Sequence, residues 1–177
     1  MWLFIASLAM LFAATLVGFL VIRLGTAEAW PELPPLPAGL RLSTFVLIAS
    51  SATLWAAAFV ARRRTSGVGL AMLATLVLGV VFLVVQTVCW IEWLAPVADA
   101  WPESGEARFA LTSFYVTTGL HALHVIGGLI PMAVVTGRAL RGQYGPESHD
   151  GVDQIGRYWH FLDAVWVVLY VSLLFGV

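Results

Sequence analysis

The sequence contains no lysine, and only 11% of its 177 residues are charged. A soluble domain carries about 25% charged side chains, so this chain lacks the material to wet a globular surface. The nine basic residues are all arginine, and the only short basic cluster is Arg62-Arg63-Arg64. That is too little for a nucleic-acid surface. Cys89 is the sole cysteine, which excludes an intramolecular disulfide and a cysteine-based zinc site. Alternating strands of about ten residues, the mark of a membrane barrel, are missing too. So are a soluble domain, an internal repeat and a low-complexity tail.

What is present is apolar. Hydrophobic residues make up 60% of the chain, and the mean hydropathy is +0.92. Five runs stand out, at 2–22, 42–61, 68–94, 109–136 and 158–177. Each approaches or exceeds the roughly 20 residues that cross about 30 Å of hydrocarbon as a helix. The expected fold is all-α, a polytopic bundle of five transmembrane helices forming a single membrane domain over 1–177. Ala27-Glu28-Ala29 offers a rival reading of the first run as a cleaved signal. Against it, the run is long and no positive residue precedes it.

The connections set an expected orientation. The second and fourth loops share six arginines, whereas the first and third share three, Arg23, Arg41 and Arg108. The positive-inside bias then places the N-terminus in the cytoplasm and the C-terminus outside. In the first loop, Trp30 is expected at the headgroup level, followed by a proline-rich stretch that forbids a continuing helix.

Chemistry-bearing residues inside the apolar runs are few. The fourth run carries Thr117, His121 and His124, whose spacing puts them on one helix face. Gly119, Gly127 and Gly128 beside them allow another backbone to come close. The last run carries His160, Asp163, Trp166 and Tyr170, again on one face. Asp163 lies about 8 Å along its helix, at 1.5 Å per residue, at a depth similar to His124. It is expected to pair with His124 or His160, since an unpaired buried carboxylate costs several kcal/mol. Gln86 lies on the third run, and Glu92 falls at its outer end, where a carboxylate reaches water. Trp90 and Trp93 read as interfacial anchors. Ser43, Thr44, Ser50, Ser51 and Thr53 are expected to bond to backbone or neighbouring helices.

Three readings of this polar set compete. It can be interhelical glue, with each bond contributing about 1 kcal/mol. It can be a proton path. It can be a metal or haem site, since His-x-x-His places two imidazoles near one metal. No further carboxylate or cysteine sits on that helix, and a haem needs axial histidines across a wide gap.

Two stretches carry a resemblance. Phe114 to Gly128 is similar to aromatic-x-x-Thr-Gly-x-His-x-x-His-Val-x-x-Gly, and Tyr158 to Trp166 is similar to Tyr-Trp-His-Phe-x-Asp-x-x-Trp. In this order and on these helices they resemble subunit III of the haem-copper terminal oxidases, the cytochrome c and quinol oxidases. Trp30-Pro31, Ser50-Ser51 and Leu78 to Gln86 add weaker support. The resemblance covers nearly the whole chain and matches the five-helix form that lacks the first two helices of larger members.

The resemblance implies a subunit that is not catalytic by itself, with no catalytic residue and no metal of its own. Haem and copper are expected in partner subunits. The implied partners are subunit I, the main contact, subunit II, and bound phospholipid, with no nucleic acid. The implied role is support of stability and proton uptake in aerobic respiration, and the implied location is a bacterial inner membrane. Two positions depart from the family. Leu8 follows Ser7 where an intramembrane glutamate is usual, and Cys89 stands where Gln-x-x-Glu would place another. These losses favour a scaffold and lipid-binding role over proton collection. The alternatives are an accessory subunit of nitric oxide reductase, a free-standing haem-binding membrane cytochrome and, more remotely, a small transporter.

Overall fold

The computed structural model describes residues 2–25, 35–99 and 105–176. They form five helices: α1 (Trp2–Gly25), α2 (Gly39–Ala61), α3 (Val68–Asp99), α4 (Glu106–Leu140) and α5 (Asp150–Gly176). Among the described residues there is no strand, only an isolated bridge between Gly145 and Ser148. Helices α1 to α4 are each long and apolar enough to cross a membrane. Helix α5 has 27 residues, but its first turns carry Asp150, Asp153 and Arg157.

Those turns explain the largest difference from the sequence reading. Helix α5 begins at Asp150 rather than Tyr158, because an apolar run marks only the lipid-facing part of a helix. Asp150 and Asp153 in its first turn favour the helix N-terminus electrostatically. Val152 and Ile155 are buried on the inner side. Helix α4 likewise runs on to Leu140, and α3 continues through Pro96 to Asp99. Trp30 and the Ala27-Glu28-Ala29 motif lie outside the described residues.

Around the bundle the helices follow one another as α1, α4, α3, α2, α5, with α4 and α5 also touching across it. Hydrogen bonds tie α2 to α3 at two levels, between Thr53 and Thr75 at 2.8 Å and from Ser43 to Gln86 Oε1 at 2.9 Å. Helix α5 supplies the largest buried side chains, Trp159 and Trp166, against Leu47 and Leu54 of α2, Met72 and Phe82 of α3, and Val125 and Met132 of α4. A second cluster, Phe19, Trp93, Phe114, Leu169 and Leu173, fills the end away from the arginine-rich turns. Helix α1 buries one face, Ile5, Leu8, Phe12 and Phe19. Leu3, Met10 and Leu24 stay exposed on its surface, as apolar side chains do in contact with lipid.

Two glycines explain how closely the helices meet. A Cβ on Gly79 would lie 2.9 Å from Cη2 and Cζ2 of Trp159 and 3.0 Å from Cδ2 of Leu129. A Cβ on Gly128 would lie 2.8 Å from Cε1 of Tyr158. Both glycines therefore admit an aromatic ring of α5 directly onto a backbone, as small residues do between membrane helices.

Candidate functional site: the buried polar seam

The polar residues of α4 and α5 are brought together with those of α2, and aromatic rings separate them into distinct groups. The first group joins α5 to α2. His160 Nδ1 lies 2.6 Å from Ser51 Oγ and 3.9 Å from Asp163 Oδ2. From the neighbouring residue, Trp159 Nε1 donates to Ser50 Oγ at 3.0 Å. Further along, Trp166 Nε1 donates to Thr44 Oγ1 at 3.1 Å. Ser51, Ser50 and Thr44 of α2 thus meet three side chains of α5, His160, Trp159 and Trp166, which gives these hydroxyls in an otherwise apolar run a partner across the helix interface.

Of the two partners expected for Asp163, the structure selects His160. The residue is 7% exposed, and neither carboxylate oxygen meets hydrogen-bond geometry among the described residues. His124 is engaged elsewhere. Its Nδ1 lies 2.7 Å from the carbonyl of Leu120, and its own carbonyl accepts from the Tyr158 hydroxyl at 3.0 Å. Ser51, His160 and Asp163 are the residue types of a hydrolytic triad, yet hydroxyl and carboxylate both face Nδ1. A triad uses opposite nitrogens, so this group cannot relay a proton in that way.

The second group surrounds His121, which is 2% exposed. Its ring stacks on Trp166 at 5.7 Å between centroids and meets the edge of Phe12 at 6.1 Å. Phe12 also lies 5.7 Å from the His124 ring, so one α1 residue covers both histidines. Neither nitrogen of His121 has a hydrogen-bond partner among the described residues. Thr117, one turn away, donates to its own backbone at Ser113. Tyr170 stacks on Trp166 with centroids 6.5 Å apart. Gln86 accepts from Ser43, but its amide nitrogen is buried without a partner among the described residues. Among the described residues, no group of three histidine, cysteine or acidic side chains is placed to hold a metal ion.

A third feature is a 560 Å³ groove between α4, α5 and the start of α1. Leu123, Gly127, Pro131 and Val135 of α4 line it along the helix, with Arg138 and Gln154 near one end and the ring of Phe4 on one side. Its walls are mostly apolar, and its one cationic lining residue lies toward the arginine-rich end of the bundle. An amphiphile with an anionic head suits that distribution.

Comparison with known proteins decides which family combines these features. A profile of the family described as cytochrome c oxidase subunit III matches residues 1–176. This chain belongs to that family. A probable cytochrome c oxidase subunit 3 from Nocardia farcinica is 31% identical, with 98% of this chain and 84% of the relative covered. Cytochrome c oxidase subunit 3 of Mus musculus is 32% identical over 98% of this chain and 67% of its own length. That of Scyliorhinus canicula is 35% identical over 75% of this chain and 48% of its own. The chain therefore spans only about half the length of some relatives it matches. As a member of the subunit III family with several membrane-crossing helices, it is a multi-pass membrane protein and a respiratory-chain component.

The two departures from the family pattern acquire a setting. Leu8 is buried in the main apolar cluster. Cys89 is buried, with its sulfur directly against Gly39 at the start of α2. Glu92 is exposed at the side of α3, so it does not return a carboxylate to the interior. Trp93 corrects the sequence reading. It is 8% exposed and packs in the second cluster, stacked 6.3 Å from Tyr115, because α3 continues beyond it. The sequence does not mark Phe12, Tyr158 and Trp159 as partners of the seam. The residues adjoining Phe12 in α1 are apolar, so no polar contrast marks its buried face. The Tyr158–Trp166 motif by itself does not show that Tyr158 bonds the His124 carbonyl or that Trp159 bonds Ser50.

Proposed function

We propose that this chain is the non-catalytic subunit III of a haem-copper oxygen reductase, one that takes electrons from cytochrome c. The observation that carries the reading is the family match over nearly the whole chain, joined to a buried seam whose hydrogen bonds mostly connect helices to one another. Subunit I is the main contact, subunit II belongs to the same complex, and haem and copper reside in those partners. The name of the Nocardia relative supports placing it in a bacterial inner membrane. The arginine bias supports an N-terminus in the cytoplasm and a C-terminus outside. Residues 1–177 act as a single subunit III-like membrane domain.

The seam of Thr117, His121, His124, His160, Asp163, Trp166, Tyr170 and Gln86 serves as interhelical glue. The described residues provide no unbroken line of hydrogen bonds from Asp163 to His121, and Leu8 and Cys89 remove two family carboxylates. Support of proton uptake is then indirect, through the stability of subunit I. The groove ending at Arg138 takes a phospholipid, its phosphate near the guanidinium and an acyl chain along α4. The test is an oxidase purified with and without this chain. The reading predicts identical haem spectra and initial rates, with faster loss of activity during sustained turnover when the chain is absent. Loss of a haem or of all initial activity would contradict it.

A further inference from the structure

Between α3, α4 and the Trp166 ring of α5 lies a second cavity of 220 Å³, separate from the groove described above. Its walls are mostly rings and aliphatic carbons, including Phe82, Trp90 and Trp166. Thr87 and Thr118 also line it, but their hydroxyls are bonded to backbone carbonyls of their own helices. Two further polar side chains in the wall are incompletely bonded. The amide nitrogen of Gln86 and both ring nitrogens of His121 lack a partner among the described residues, at 6% and 2% exposure. Buried polar groups are rarely left this way, and the seam's helix-to-helix bonds do not account for these three nitrogens. Gly119 forms part of the wall, is exposed to the bundle surface, and has nothing within 4 Å of where a Cβ would stand. The cavity therefore opens sideways, toward lipid.

Depth restricts what can enter. Gln86 lies five residues from the middle of the Val68–Leu94 span and His121 between four and five from the middle of Leu111–Leu140. At 1.5 Å per residue both sit about 7 Å from mid-membrane. A hydrocarbon core about 30 Å thick keeps lipid headgroups about 15 Å from that plane, so a phospholipid head does not reach the site. Water alone suits the two polar side chains but not the walls, since apolar cavities stay dry, and one of about 150 Å³ holds a benzene ring instead. The amide of Gln86 can only donate with its free nitrogen. An imidazole with one proton donates at one nitrogen and accepts at the other. A hydroxyl oxygen both accepts and donates, so it can accept from the Gln86 amide and bond the facing His121 nitrogen whether or not that nitrogen carries the proton.

We infer that this cavity is a binding site for a membrane-dissolved ring compound bearing a hydroxyl group, of the phenol or hydroquinone class, with the hydroxyl held by Gln86 and His121. The ring lies among Phe82, Trp90 and Trp166.

The test uses the full chain in lipid nanodiscs and two fluorinated probes of nearly equal shape, 4-fluorophenol and 4-fluorotoluene, followed by fluorine NMR. Partition into chain-free nanodiscs is subtracted. The expected result is saturable binding of 4-fluorophenol, about tenfold tighter than 4-fluorotoluene, the worth of one well-made hydrogen bond in a dry site. In Gln86→Leu and His121→Leu the two probes should bind alike. Gly119→Leu, which enters open space and fills the mouth, should abolish binding of both while the helical circular dichroism is unchanged. Equal binding of the two probes to the unaltered chain, non-saturable partition of both, or hydroxyl preference that survives both leucine variants would each overturn the inference and leave water as the occupant.

Discussion

Gly79→Ala should cost stability in the native chain and stop costing it once Trp159 is shortened. The added methyl would stand 2.9 Å from two carbons of the Trp159 ring and 3.0 Å from a Leu129 methyl. Carbons prefer about 3.5–4.0 Å, so α3 must move away from α5 or the indole must turn. Trp159 is 1% exposed and its Nε1 is bonded to Ser50, which leaves the ring little freedom. Overpacking of this kind costs about 1–3 kcal/mol, while replacing glycine by alanine inside a helix returns about 1 kcal/mol. The net loss expected is about 1 kcal/mol. Trp159→Phe removes the carbons that collide, at its own cost of about 2 kcal/mol for the lost hydrogen bond and buried area. In that background Gly79→Ala should be neutral or stabilising by up to about 1 kcal/mol. The cycle therefore predicts a coupling of about 1–3 kcal/mol. Reversible denaturation of the four variants in mixed detergent micelles, followed by circular dichroism, measures it. Additive effects of the two substitutions would refute the packing of α3 against α5 described above.

Four further outcomes follow from the same contacts. Ser50→Ala should destabilise the chain by about 1 kcal/mol in that assay, because it leaves the Trp159 N–H without its acceptor; no loss would mean that the bond does not form. Arg62→Gln should change stability by less than about 1 kcal/mol, because the Arg62 side chain of the Arg62–Asp153 pair is 60% exposed; a salt titration showing a larger, unscreened effect would contradict this. Asp163→Leu should lower the yield of assembled oxidase far more than the rate per assembled complex, since Ser51 and His160 keep their contact at 2.6 Å; normal assembly with lost proton uptake, measured in reconstituted vesicles, would favour a proton path instead. Arg138→Gln should reduce the phospholipid phosphorus that copurifies with the chain, and an unchanged phosphorus content would remove the groove as a lipid site.

Much of this architecture is legible in the sequence because a bilayer demands long apolar helices, and α1 to α4 each announce themselves by length. The pairing of His160 with Asp163 follows from spacing on one helix. What spacing cannot decide is the competition with backbone acceptors, and His124 is placed against the Leu120 carbonyl rather than beside the acid. The start of α5 is hidden because Asp150, Asp153 and Arg157 read as loop, although Val152 and Ile155 between them are buried. Trp93 misleads because tryptophan near the end of an apolar run has the signature of an interface, while the true end of α3 is several residues further on. Helix α1 hides its partners for the opposite reason. It is apolar all round, so nothing in its pattern shows that Phe12 is the residue laid over His121 and His124.

The central claim is that this chain works inside an oxidase rather than alone. The most direct measurement is a mild-detergent pull-down of the tagged chain, with mass spectrometry of its partners and a visible spectrum of the eluate. The account predicts oxidase subunits I and II together with haem absorption that belongs to the complex. Recovery of nitric oxide reductase subunits, or of a partner-free chain with a haem spectrum of its own, would contradict it.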